Sequence, residues 1–200
     1  MKRILVAYAT NSGTTAEVAL AIGEELRKTG NQVEALSVEK VGRLEAYDTL
    51  VLGAPMIMGW QRMSLRFLKK NRSTLKRIPL AVFVTCMSLT KIAGTAIQGV
   101  PVSVDENLPK PAQNEARLPF KERYARLSNY LRPILHACPV KPVSVGIFSG
   151  RLEYGHMQWW AMIFVILILQ AQAGDKRNSE AILAWAMDLP ALFNAAASVR

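Results

Sequence analysis

The feature that most constrains the fold lies near the amino terminus. There Ile4-Leu5-Val6-Ala7-Tyr8-Ala9 runs into Thr10-Asn11-Ser12-Gly13-Thr14-Thr15 and then into a helical pattern. The apolar run is short, β-branched and aliphatic, and bounded by turn formers, the signature of a buried strand. Val18, Ala21, Ile22 and Leu26 then line one helical face, and Lys28-Thr29-Gly30 closes the helix with a cation and a glycine.

The same alternation continues along the chain. Residues 33–38 form a second strand, 49–53 a third and 80–85 a fourth, entered through the turn at Pro79. Helices are predicted over 64–75 and 120–137, and a fifth strand over 142–148. Residues 87–118 carry Pro101, Pro109 and Pro111 and few periodic apolar positions, so they are expected to form a long irregular loop. Strands alternating with helices imply a parallel sheet covered on both faces, wound with right-handed crossovers. The reading is a doubly wound five-stranded α/β domain, residues 1–200, with no repeat and no second domain.

Composition allows this. Two hundred residues, half of them hydrophobic, are enough for a core without disulfides. Cys86 and Cys138 are too few and too far apart for a disulfide framework or a zinc site, so no metal and a reducing, cytoplasmic setting are expected. The run from Ile4 to Ala9 is too short for a secretory segment, and no small-residue cleavage site follows it.

The charge is less ordinary: 25 Lys and Arg stand against 15 Asp and Glu, a net charge of +10. No acid occurs between Asp48 and Asp105, whereas Arg62, Arg66, Lys69, Lys70, Arg72, Lys76 and Arg77 crowd one segment. Two readings stand side by side: a solvated helix face, or a surface that meets something anionic. Aromatics do not alternate with these cations and no nucleic-acid motif appears, so nucleic acid is not expected as a partner.

The loop Thr10 to Thr15 carries the chemistry. A phosphate at a helix amino terminus meets backbone N–H groups and the positive end of the helix dipole. Hydroxyls at Thr10, Ser12, Thr14 and Thr15 add donors, and Gly13 lets the backbone wrap close. G-x-G-x-x-G is absent, and no Gly-Lys-Ser/Thr follows. Hydroxyls with one glycine suit a monophosphate held without a basic side chain; the plainer alternative is an ordinary N-capped turn.

These residues resemble the phosphate loop of the flavodoxin family, S/T-x-T-G-x-T, with Ser12 in place of the central Thr. The resemblance implies strand order 2-1-3-4-5 and FMN at the carboxyl ends of the first, third and fourth strands, the switch point of the sheet. The cofactor-binding residues it implies are Thr10, Asn11, Ser12, Gly13, Thr14 and Thr15, then Pro55, Met56 and Trp60 after the third strand, and Thr85, Cys86 and Met87 after the fourth. Trp60 either stacks on the flavin ring or packs as a helix-start residue; Met56 and Met58 read as packing.

After the fifth strand comes an insert, about residues 151–174, with an unbroken apolar run from Trp159 to Leu169. It is shorter than the roughly 20 residues of a spanning helix. It is also apolar around its whole circumference, unlike an ordinary surface helix. A buried core helix, a helix lying in one leaflet with Trp159 and Trp160 at the headgroups, and a membrane span all remain open. The basic run from Arg62 to Arg77 favours the interfacial reading, as a peripheral contact on the cytoplasmic face of a membrane.

The order of parts is also similar to that of the bacterial flavodoxin-like, menaquinone-dependent protoporphyrinogen oxidases and their flavodoxin-domain relatives. The shared features are Gly53-Ala54 with Gly59, the helix end Phe67-Leu68-Lys69-Lys70, Gly150-Arg151-Leu152-Glu153-Tyr154, the apolar insert, and Ala173-Gly174-Asp175-Lys176-Arg177 before a last helix with Glu180 and Trp185. Met56-Ile57-Met58 replaces that family's polar and aromatic residues, and the insert lacks its basic ones. The resemblance implies an FMN-dependent oxidoreductase that oxidises protoporphyrinogen IX, a haem-biosynthetic tetrapyrrole, and passes electrons to a membrane quinone. The alternatives are a flavodoxin-type electron carrier, an NAD(P)H-quinone reductase, and a domain of the same fold that has lost its flavin. No acid–base catalytic residue is assigned, and His136 and His156 read as structural.

Overall fold

The computed structural model describes residues 1–57, 59–90, 96–97, 99–110, 119–152, 174–175 and 178–198. The elements are β1 (Arg3–Tyr8), α1 (Thr14–Lys28), β2 (Gln32–Ser37), a 3-10 turn (Leu44–Ala46), β3 (Thr49–Pro55), α2 (Arg62–Lys70), α3 (Arg72–Leu75) and β4 (Leu80–Cys86). Then follow β5 (Leu89–Thr90), β6 (Ala96–Ile97), β7 (Val100–Val104), β8 (Pro109–Lys110), α4 (Phe120–Tyr124) and α5 (Leu127–Ala137). The last are β9 (Val145–Ser149), β10 (Arg151–Leu152), β11 (Gly174–Asp175) and α6 (Ser179–Ser198).

The main sheet runs β2-β1-β3-β4-β9-β7-β6. Its first five strands are the expected 2-1-3-4-5 array, all parallel, with Leu5 opposite Leu50, Leu50 opposite Leu80, and Val82 opposite Val145. The correction lies beyond β9. Residues 87–118 do not form an irregular loop throughout: β7 adds a parallel strand along β9, with Val102 opposite Val145, and β6 folds back antiparallel on β7. Pro101 masks this in the sequence. It has no N–H to give a ladder, and here it faces β6 while Val102, Ser103 and Val104 pair with β9.

Side chains alternate across the sheet, and each face buries its own cluster. Ile4 and Val6 of β1 point towards α1 and α6, with Val18, Ile22, Leu26, Trp185 and Phe193. Leu5 and Ala7 point the other way, with Phe67, Leu68, Leu75, Leu131 and Ile134 from α2, α3 and α5. A fully buried Leu or Phe of this kind contributes roughly 1.5–3 kcal/mol. Bulky aromatics decide where glycine must stand. Phe83, Phe148 and Trp185 pack as a trio with ring centroids 5.5–6.5 Å apart. A Cβ on Gly53 would lie only 1.9 Å from the Phe83 ring.

Two predicted helices are each divided. The segment 64–75 becomes α2 and α3 because Asn71 ends the first, its backbone N–H and side-chain Nδ2 both donating to the Phe67 carbonyl. The segment 120–137 breaks before α5, where Arg126 is extended and Asn129 Nδ2 donates to the Arg123 carbonyl.

Among the described residues, α6 is the one helix long and apolar enough to cross a membrane, with a mean hydropathy of 1.3. Its Ile182, Trp185, Ala186, Leu189 and Phe193 form a buried stripe facing the sheet and α1. Antiparallel β10 and β11 pair Arg151 with Asp175 and Leu152 with Gly174, so the insert leaves and returns at one place. The run from Trp159 to Leu169, and Met58, lie outside the described residues.

Candidate functional site

Four strand ends share one rim of the sheet. The parallel ladders run past the last strand residues: Ala9 N–H donates to the Gly53 carbonyl at 2.9 Å, Met56 N–H to Thr85 at 2.9 Å, and Gly150 N–H to Cys86 at 3.0 Å. The loops after β1, β3, β4 and β9 are thereby fixed side by side. β1 is the strand from which the chain winds both ways, to β2 on one side and β3 on the other, so this rim holds the switch point of the sheet.

A narrow cleft opens there, with a cavity volume of about 40 Å³ and one side open to solvent. Its walls are Asn11, Ser12, Thr14 and Thr15 from the first loop, Pro55, Met56 and Ile57 after β3, Thr85, Cys86 and Met87 after β4, and Gly150 after β9. Among the described residues, none of the wall carries a charged side chain.

The first loop leads straight into α1. Gly13 takes φ +88°, a left-handed conformation, with no atom within 4 Å of where a Cβ would stand. Its N–H donates to Thr10 Oγ1 at 2.9 Å, so Thr10 shapes the loop and leaves the cleft to its neighbours. No side chain caps α1 at Gly13, and first-turn N–H groups have no carbonyl one turn back to bond. Buried Thr14 and Thr15 stand at the start of the helix, and Thr15 Oγ1 lies 2.8 Å from Thr85 Oγ1, joining α1 to the end of β4. Gln61 Nε2 donates to Asn11 Oδ1 at 3.1 Å, tying the start of α2 to the same loop.

Nine of the twelve residues expected at a cofactor site therefore stand on the cleft wall, while Thr10 and Gly13 set the loop's shape. Trp60 is the correction. It is only 4% exposed, belongs to the α2/α5 core and donates its indole N–H to the Ala54 carbonyl at 3.3 Å. A tight turn puts it there: Ile57 N–H bonds the Gly59 carbonyl, Gly59 takes φ +111°, and Met56 bridges to Trp60. Ile57 and Gly150 are wall residues the site reading missed. Gly150 follows the fifth predicted strand directly, which was the available signal.

Burial pushes the Cys86 thiol up to about 12, a shift the Ser88 backbone hydrogen bond reduces and the Asp105 charge increases. It stands in the wall as a neutral group. Among the described residues no three His, Cys, Asp or Glu side chains stand together as metal ligands would. On the α2/α3 flank Arg62, Arg66, Lys69, Lys70, Arg72, Lys76 and Arg77 are all exposed. None of the seven has an ion-pair partner among the described residues, where the pairs Arg27–Glu24 and Lys28–Glu25 both lie on α1.

A parallel sheet with a hydroxyl-bearing helix start at its switch point defines a doubly wound α/β protein. Within that class the chain belongs to the flavodoxin domain family, whose model matches residues 5–179. No curated protein matches it. The flavodiiron protein from Giardia intestinalis superposes with a TM-score of 0.51 at 11% identity, over 98% of this chain and 37% of that one. A Fusobacterium nucleatum flavodoxin mutant bound to flavin mononucleotide gives 0.45 at 16% identity, over 96% and 98%. A short-chain flavodoxin associated with a PDU bacterial microcompartment gives 0.39 at 23% identity, over 43% of this chain. The match spans 62% of that flavodoxin's length. These likenesses concern the fold.

Proposed function

We propose that this chain is an FMN-dependent redox protein whose cofactor enters the cleft with its phosphate at the start of α1. The observation that carries this reading is the convergence of the α1 start with the β3, β4 and β9 loops on one cleft that has no charged wall residue among the described residues. Backbone N–H groups of the first loop, with the Ser12 and Thr14 hydroxyls, would hold the phosphate. Pro55, Met56, Ile57 and Met87 would flank the ring system with apolar surface. FMN supplies one- and two-electron chemistry when bound; the protein positions it, excludes water and tunes its potential.

Two finer readings share this cofactor. In the first, the protein is a protoporphyrinogen-type oxidase on the cytoplasmic face of a membrane. There it takes reducing equivalents from a tetrapyrrole and passes them to a quinone. The similar order of parts, the seven cations with no ion pair among the described residues and the apolar run from Trp159 to Leu169 support it. In the second, the protein is a flavodoxin-type carrier. The cleft wall supports this one, since among the described residues it offers no His, Lys, Asp or Glu to move a substrate proton.

Anaerobic mixing of the FMN-loaded protein with protoporphyrinogen IX, then with a menaquinone analogue, separates them. Loss and return of the flavin absorbance is expected of the oxidase. No change with the tetrapyrrole, but rapid exchange with one-electron partners, is expected of the carrier. Rapid bleaching by a nicotinamide alone would replace both with a quinone reductase.

A further inference from the structure

Asp105 ends β7 and has no exposed surface. Its Oδ1 accepts the Asn107 N–H at 3.0 Å and Asn178 Nδ2 at 3.1 Å. Its Oδ2 accepts the Ser149 N–H at 3.2 Å and the Ser149 hydroxyl. Both oxygens thus accept hydrogen bonds from backbone and side-chain donors. Asn178 also accepts the Ala181 N–H at 3.2 Å, capping α6 and placing the carboxylate near the positive end of that helix. No Lys or Arg among the described residues pairs with it. The result is a buried, hydrogen-bonded carboxylate with no counter-ion among the described residues.

Its place gives that charge a target. Ser149, which holds Oδ2, is followed directly by Gly150 in the cleft wall. Gly150 is pinned by its bond to the Cys86 carbonyl, and a Cβ there would stand 3.6 Å from Met87 Sδ and 3.9 Å from Thr14 Cγ2. The charge also acts on Cys86, a second wall residue, helping to hold its thiol neutral. We propose that Asp105 is a positioning residue that lowers the reduction potential of the bound flavin, by fixing Ser149 and Gly150 and by setting a negative charge behind the cleft wall. A fixed anion opposes the arrival of electrons nearby, and it does so more strongly in a buried setting than in water. This inference rests on the FMN reading.

The test is a potentiometric dye titration of the FMN-loaded wild type, Asp105→Asn and Ser149→Ala, with thermal melting of each. Asp105→Asn removes the charge and is expected to move the midpoint positive by about tenfold in the equilibrium constant, about 59 mV for a one-electron couple. Ser149→Ala keeps the charge and removes one donor, so its midpoint stays or moves negative although its melting temperature also falls. A purely structural role would leave the potential unmoved or move it the same way in both variants, and either result overturns the proposal. Should Asp105→Asn fail to fold, Asn178→Ala takes its place: the less compensated charge must drive the midpoint negative, and no shift or a positive one overturns the proposal. A wild-type protein that retains no flavin removes the underlying FMN reading instead, before any variant is made.

Discussion

The hydroxyls of Thr15 and Thr85 lie 2.8 Å apart beneath the cleft, so the first turn of α1 and the end of β4 are held together by one buried polar contact. Both residues line the cleft as well. Thr15→Val keeps the shape but leaves the Thr85 hydroxyl buried and unpaired, at an expected loss of about 1–3 kcal/mol in urea unfolding. Thr15→Val with Thr85→Val is expected to regain part of that loss, because no orphan remains. Strictly additive losses would show that the contact contributes nothing.

Gly13 gives a cleaner backbone test. Space around it is open, so Gly13→Ala meets no clash and pays only for the left-handed φ of +88°. The expected loss is about 1–2 kcal/mol in stability. FMN affinity should fall further, because the loop relieves strain by turning its N–H groups. Equal stability and affinity would contradict the observed loop conformation.

Alkaline pH should weaken the fold through Cys86. Its thiol titrates near 9 when unfolded and is pushed up to about 12 by burial in the native state. Between those values the unfolded chain binds fewer protons, so stability present below pH 9 is lost as pH rises towards 12. Urea unfolding from pH 8 to 10.5 checks this, and Cys86→Ala is expected to remove part of the decline, because burial pushes the Cys138 thiol up to about 12 as well. A thiol reagent at pH 8 should leave native Cys86 unmodified and label it after denaturation.

Much of this architecture was legible in the sequence. The alternation of apolar strands and amphipathic helices predicted the parallel array, the resemblance to the flavodoxin family implied its order β2-β1-β3-β4-β9, and the hydroxyl loop stands at the cleft. The misses have local causes. β7 was hidden because Pro101 reads as a strand breaker, yet a proline tolerates a position outside the ladder to the neighbouring parallel strand. Trp60 stood between stacking and packing, and the structure shows packing, because Gly59 alone did not reveal a turn that sends its neighbour into the core. Asp105 was visible only as the first acid after a long acid-free stretch. Its partners Ser149 and Asn178 are 44 and 73 residues away, beyond the reach of any local pattern.

The unpaired cations of α2 and α3 make a prediction about surfaces. Each basic residue near an anionic bilayer contributes about 1 kcal/mol, and the attraction fades with salt. The protein should sediment with vesicles containing phosphatidylglycerol at low ionic strength and less with pure phosphatidylcholine. Lys69→Glu with Lys70→Glu and Arg72→Glu should release it. Binding that ignores both salt and these substitutions would point to an apolar anchor, and no binding at all would remove the membrane contact from the proposed function.

The most direct measurement compares FMN with riboflavin, which lacks the phosphate, by titrating each into the flavin-free protein and following flavin fluorescence. If the start of α1 holds the phosphate, FMN binds at one per chain and riboflavin binds weaker by at least about a hundredfold, the equivalent of about 2.7 kcal/mol. Equal affinities, or no quenching by FMN, would contradict the account.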